Sequence, residues 1–80
     1  MRPWKWLICY DGTAANLGMV TLLEVGMRTE GELWVLLRTG GNERKVMEVE
    51  SKEAGAQLIR DIVMSQAEIV DVRRSNLARA

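Results

Sequence analysis

Between residues 22 and 50 the chain reads LLEVGMRTEGELWVLLRTGGNERKVMEVE, three apolar runs separated by two glycine-marked reversals. No other stretch restricts the fold as much. Tight turns of this kind join neighbouring antiparallel strands, whereas parallel strands need a crossover of a dozen or more residues. The stretch therefore predicts a three-stranded antiparallel meander, with strands from Met19 to Arg28, Glu32 to Thr39 and Glu43 to Glu50.

The turns also predict which side chains share a face. Thr29-Glu30-Gly31 has the composition of a three-residue hairpin loop with glycine in the left-handed position. Counting outward puts Met27 opposite Leu33, Val25 opposite Val35 and Leu23 opposite Leu37. Counting Gly40-Gly41-Asn42 the same way puts Leu33 opposite Val49, Val35 opposite Met47 and Leu37 opposite Lys45. One face then collects eight apolar residues and needs a helix to cover it. A two-residue Gly40-Gly41 turn would change the parity of the last strand and turn Val46 inward. The three-residue count is preferred because both hairpins then agree on a single apolar face.

The opposite face carries Val20, Leu22, Trp34, Leu36 and Val46, rimmed by Glu24, Arg28, Arg38, Arg44 and Glu48. Gly26 falls opposite Trp34, leaving room for the indole to lie across the neighbouring strand. A contiguous apolar patch rimmed by charge is the pattern of an interface. Its cover would be the first strand of the same chain, a second copy, or another protein.

Outside the meander, WKWLICY (residues 4–10) is rich in aromatic and β-branched types and reads as a strand. Trp4, Trp6, Ile8 and Tyr10 share one of its faces, and Lys5, Leu7 and Cys9 the other. DGTAANLG (11–18) reads as a loop or short helical turn. Ser51 is a helix N-cap with Glu53 in the first turn, where the helix dipole favours an anion. Ala54, Leu58, Ile59, Ile62 and Val63 recur at helical spacing, with Gly55 positioned to permit close approach to the sheet. Gln57, Arg60 and Asp61 point away, and the helix should end near Gln66. EIVDV (68–72) reads as a last strand and RRSNLARA (73–80) as a tail. The expected architecture is α+β, in the order β-β-β-β-α-β, an antiparallel meander with one helix packed on one face. It forms a single domain over residues 1–75 with a flexible tail over 76–80.

WLICYDGT is similar to the first strand and Asp-Gly-Ser/Thr turn of universal stress proteins, and to the Asp-Gly-Thr of haloacid-dehalogenase phosphatases. The likeness covers eight residues and is carried by Asp11, Gly12 and Thr13. The phosphatase pattern needs a further aspartate where Cys9 stands, and both families need a long parallel α/β sheet. Neither is adopted, and Asp11 and Thr13 are expected to satisfy backbone groups in a turn.

Catalysis finds little material. The chain has no histidine and one cysteine, which removes the commonest general base and any thiolate metal cluster. GTAANLG and RTGG fit neither glycine-rich phosphate-binding pattern. No enzyme activity, metal or cofactor is expected. The short apolar LICY cannot serve as a signal-peptide core or membrane span, so a cytoplasmic bacterial or viral protein is expected. Eighty residues lie near the lower limit for a self-sufficient core, and a dimer interface would supplement it.

Two functions follow. The first is a non-catalytic binding or assembly module that associates, with itself, through Trp34, Leu36, Leu22, Val46 and Val20. The second is nucleic-acid binding, with Arg38, Arg44 and Lys45 contacting phosphate, Trp34 stacking on a base, and Arg73, Arg74 and Arg79 assisting. The same register sets Arg38 opposite Arg44, a like-charge pair that would welcome an anion. Against it stand eleven basic residues balanced by eleven acidic ones, and a diagonal pairing of Arg38 with Glu24.

Overall fold

The computed structural model describes residues 5–74. Trp4, Arg79 and the expected tail over 76–80 lie outside them. The elements are β1 (Trp6–Ile8), β2 (Ala14–Asn16), a 3₁₀ turn (Leu17–Met19), β3 (Leu22–Met27), β4 (Leu33–Thr39), β5 (Asn42–Val49), α1 (Lys52–Met64) and β6 (Ile69–Asp71). The fold is α+β, with α1 packed on one face of an antiparallel β3-β4-β5 meander.

The first hairpin follows its sequence. Met27 pairs with Leu33, Val25 with Val35 and Leu23 with Leu37. The chain reverses through Thr29–Gly31, with Glu30 at φ 62° and Gly31 at φ 81°, and the Arg28 N–H donates to the Glu32 carbonyl at 2.7 Å. The second hairpin combines both counts. Thr39 pairs with Asn42 across a two-residue Gly40-Gly41 turn, while Leu33–Val49 and Val35–Met47 keep the three-residue register. A bulge between these segments absorbs the extra residue. It sets Leu36 against Lys45 and Leu37 against Arg44, and it leaves Val46 unpaired.

Two expectations are corrected here. Val46 does not join Trp34 on the outer face: the bulge turns it into the main core, where it is fully buried. Arg38 does not face Arg44 but Glu43.

The flanking segments build a second sheet, in the order β2-β1-β6, instead of extending the meander. β1 runs antiparallel to β2 and parallel to β6. Residues 14–16, read as loop, are therefore a strand. Leu7 and Cys9 point inward, as do Ala15 from β2 and Val70 from β6, and all four join Val35, Leu37 and the helix in one core. The small sheet is tied to the β5 edge of the meander. The Tyr10 N–H donates to the Val46 carbonyl at 2.8 Å, and Arg44 Nη1 donates to the Ala14 carbonyl at 3.3 Å.

α1 begins where its capping signal stands, with Ser51 Oγ accepting from the Ala54 N–H at 3.0 Å. Its buried residues are Gly55, Leu58 and Ile62, with Ile59 partly buried. Ala54 and Val63, expected on the stripe, lie at its exposed margins. A Cβ on Gly55 would sit 2.6 Å from Val25 Cγ2 and 3.2 Å from Val49 Cγ2, so glycine sets how closely helix and sheet approach. At its other end the helix stops at Met64, and Lys5 Nζ donates to the carbonyls of Val63 (3.3 Å) and Ser65 (2.7 Å). A cation there satisfies carbonyls that have no helical donor and complements the dipole.

Candidate functional site

The surface singled out by sequence lies on the outer face of the meander, and the chain closes most of it over itself. Leu36 is 0 % exposed and Trp34 8 %. Gly26, opposite Trp34, is overlain by Leu36: a Cβ there would lie 2.7 Å from Leu36 Cδ1 and 3.4 Å from Arg28 Nη1. The gap left by glycine is thus filled by leucine and arginine, not by the indole. Trp34 itself meets Tyr10 edge-on, with ring centroids 5.0 Å apart, and Lys45 Nζ sits 4.6 Å from its ring centroid. Its indole N–H donates to Glu32 at 3.1 Å.

Charged side chains form a roof above these residues. Arg28 folds back over the sheet and pairs with Glu43, Nε lying 3.0 Å from Oε2. Arg38 reaches Glu43 at 3.3 Å and Glu24 at 3.6 Å. The Glu43 carboxyl is held below the usual glutamate range, chiefly by the hydrogen bond from Arg28 and then by the charges of Arg28 and Arg38. Arginine stems cover apolar surface while their heads remain in water, which is how a face without a second layer can still be dry.

Of the five expected interface residues, then, Trp34 and Leu36 lie under this roof and Val46 lies in the core. Val20 packs partly buried against that core, and Leu22 alone remains exposed, at 44 %. The basic cluster is likewise dispersed. Arg38 is engaged by two glutamates, Arg44 turns toward β2, and Lys45 covers the indole.

The open apolar surface is elsewhere. A groove of about 880 Å³ runs between the Leu17–Met19 turn, the start of β3 and the last turns of α1. Leu17, Leu22, Leu23, Ile59, Ile62 and Val63 line it, with Lys5 at its end. Val63 at its rim and Met64 beyond are well exposed. Beside the groove runs β3, the edge strand of the meander. Sequence reasoning missed this site because it looked for an uncovered surface only on the outer face and left the place of the first strand open. With β1 in a separate sheet, β3 is an edge among the described residues.

No cluster of three or more Cys, Asp and Glu suited to holding a metal occurs among the described residues. Burial pushes the Cys9 thiol up, which disfavours the thiolate a nucleophile would need. Asp11 accepts from the Thr13 N–H (3.1 Å) and hydroxyl (2.7 Å), closing the turn that Asp-Gly-Thr suggested. No helix among the described residues is long and apolar enough to cross a membrane. No family model matches the chain, and neither the curated proteins nor the solved structures provide a match.

Proposed function

We propose that this protein is a small non-catalytic binding and assembly module that associates with its own copies through the β3–α1 side. The observation that carries this reading is the open apolar groove at Leu22, Leu23, Ile59 and Val63, left uncovered while the opposite face of the sheet is roofed. Burying such a surface supplies what an 80-residue core lacks. The cytoplasm is the compartment proposed for it, a reading supported by a single thiol that is buried and unpaired.

Nucleic-acid binding has less behind it, because Arg38 and Lys45 already have partners within the chain. The test is sedimentation of the parent and of Leu22→Glu and Val63→Glu, which place charge on an exposed rim. Concentration-dependent association that both substitutions weaken supports the assembly reading. A parent that stays monomeric at high micromolar concentration overturns it. Salt-sensitive retention of single-stranded DNA or RNA by the monomer would favour the other function.

A further inference from the structure

We infer that two copies join edge to edge through β3, in an antiparallel register with Gly26 facing Gly26, Val25 facing Met27 and Glu24 facing Arg28. This rests on the assembly reading and specifies the partner surface. The Arg28 N–H bonds to Glu32, so by strand alternation the even residues of β3 direct their backbone groups to β4. Leu23, Val25 and Met27 therefore direct theirs to the free edge. This edge lacks the usual protections. LLEVGM has no proline and one charge, and β3 has no strand beside it except β4 among the described residues. Its Met27 carbonyl, which accepts from Arg28 Nη1 at 2.8 Å, keeps a second lone pair.

The edge is also complementary to itself. Met27 is 61 % exposed and lies on the helix-facing side of the sheet, at the end of β3 away from the groove. An antiparallel two-fold exchanges the strand's ends. It sets Met27 of the second copy beside Val25 and diagonal to Leu23, at the mouth of the groove formed with Ile59 and Val63. The same operation inserts the first copy's Met27 into the second groove.

Charge selects among the registers that keep the odd residues bonded to each other. Centring on Glu24 would bring two carboxylates face to face, and centring on Val25 would set both charges opposite apolar or glycine positions. Centring on Gly26 places each Glu24 opposite an Arg28. Glu24 has capacity for it, since its ion pair with Arg38 is 3.6 Å long and its side chain is 40 % exposed. The chain Glu24–Arg38–Glu43–Arg28 would then continue through the second copy and return. The product is a six-stranded sheet with both helices on one side.

The test is sedimentation equilibrium with far-UV circular dichroism on four proteins. The parent should dimerise. Met27→Pro removes an edge-facing N–H and the Met27 side chain but no bond to β4, so it should retain the parent spectrum and be monomeric. Glu24→Arg should weaken association on the order of tenfold, and Glu24→Arg with Arg28→Glu should restore it. If Met27→Pro associates like the parent while Leu22→Glu and Val63→Glu do not, the edge pairing is overturned and the assembly reading stands. If the double substitution associates no better than Glu24→Arg alone, the register is overturned. A monomeric parent overturns both proposals.

Discussion

On one side of the meander, Leu58 and Ile62 of α1 share a packed cluster with Val35 and Leu37. On the other, Leu36 is hidden as completely as Ile62, but beneath side chains from the sheet's own strands and loops. The first cover is a backbone element fixed by capping and by a glycine contact. The second is made of arginine and glutamate side chains joined through Glu43, with Lys45 and Tyr10 in contact with the Trp34 ring. Burial alone does not distinguish them. Rigidity should, because the cost of a cavity depends on whether the walls can close over it.

The largest effect expected is from Trp34→Ala, about 3–5 kcal/mol of folding stability, the range for a buried aromatic. Chemical denaturation checks it, and a fully stable variant would show that the roof is loose enough to leave the indole effectively outside. Next come Ile62→Ala and Leu36→Ala, both within the range of about 2–5 kcal/mol for large aliphatic truncations. Ile62 should fall in the upper part and Leu36 in the lower, since flexible side chains can settle into the second gap. Equal losses would mean that the roof is as rigid as the helix.

Gly55→Ala sharpens the account of the helix side. Alanine raises helix propensity by about 1 kcal/mol, but its methyl would press on Val25 and Val49, and overpacking costs about 1–3 kcal/mol. A net loss near 1 kcal/mol is expected in a thermal melt, whereas a gain would mean that the edge strand yields easily.

Lys45→Ala probes the roof at its weakest point. Loss of a partly exposed cation over an indole should cost about 0.5–1 kcal/mol and shift Trp34 fluorescence. The smallest effect is pH-dependent. Glu43 has its carboxyl pKa lowered on folding, so its contribution is present above the ordinary glutamate value and is lost as pH falls through the lowered one. Glu43→Gln should flatten that acid limb of a stability–pH curve while leaving the limb set by Asp71, whose pKa lies at about 2 beside Arg73.

Signals confined to a few neighbouring residues were legible in the sequence. Ser51 caps its helix, Thr29-Glu30-Gly31 turns its hairpin, and Asp11 closes on Thr13, all through contacts within about one turn of chain. The second hairpin was not, because Gly40 and Gly41 permit either count. The bulge that reconciles them is associated with the burial of Val46 and its bond to Tyr10, residues far apart in sequence. β2 escaped notice because Ala14-Ala15-Asn16 has no β-branched or aromatic residue and is a strand only by pairing with β1. The roof escaped for a related reason. Its charged residues were read as the rim of an open patch, and nothing in their spacing tells that Arg28 folds over Gly26.

The bulge at Lys45 and Val46 has a consequence for how this chain tolerates changes in length. One surplus residue is stored in β5, next to a turn that works equally well with two or three. Deleting Val46 would leave an unbroken ladder with every other partner in place, at the cost of a core side chain and the Tyr10 bond. Deleting Gly41 would be absorbed by giving up the surplus: Gly40-Asn42 becomes the turn and Thr39 pairs with Glu43, which swings Val46 out opposite Leu36 and exchanges the two faces at that point. Strand and turn thus form a one-residue vernier: a residue added to the turn leaves both faces as they are, and one removed from it changes which surface is greasy before it changes the fold.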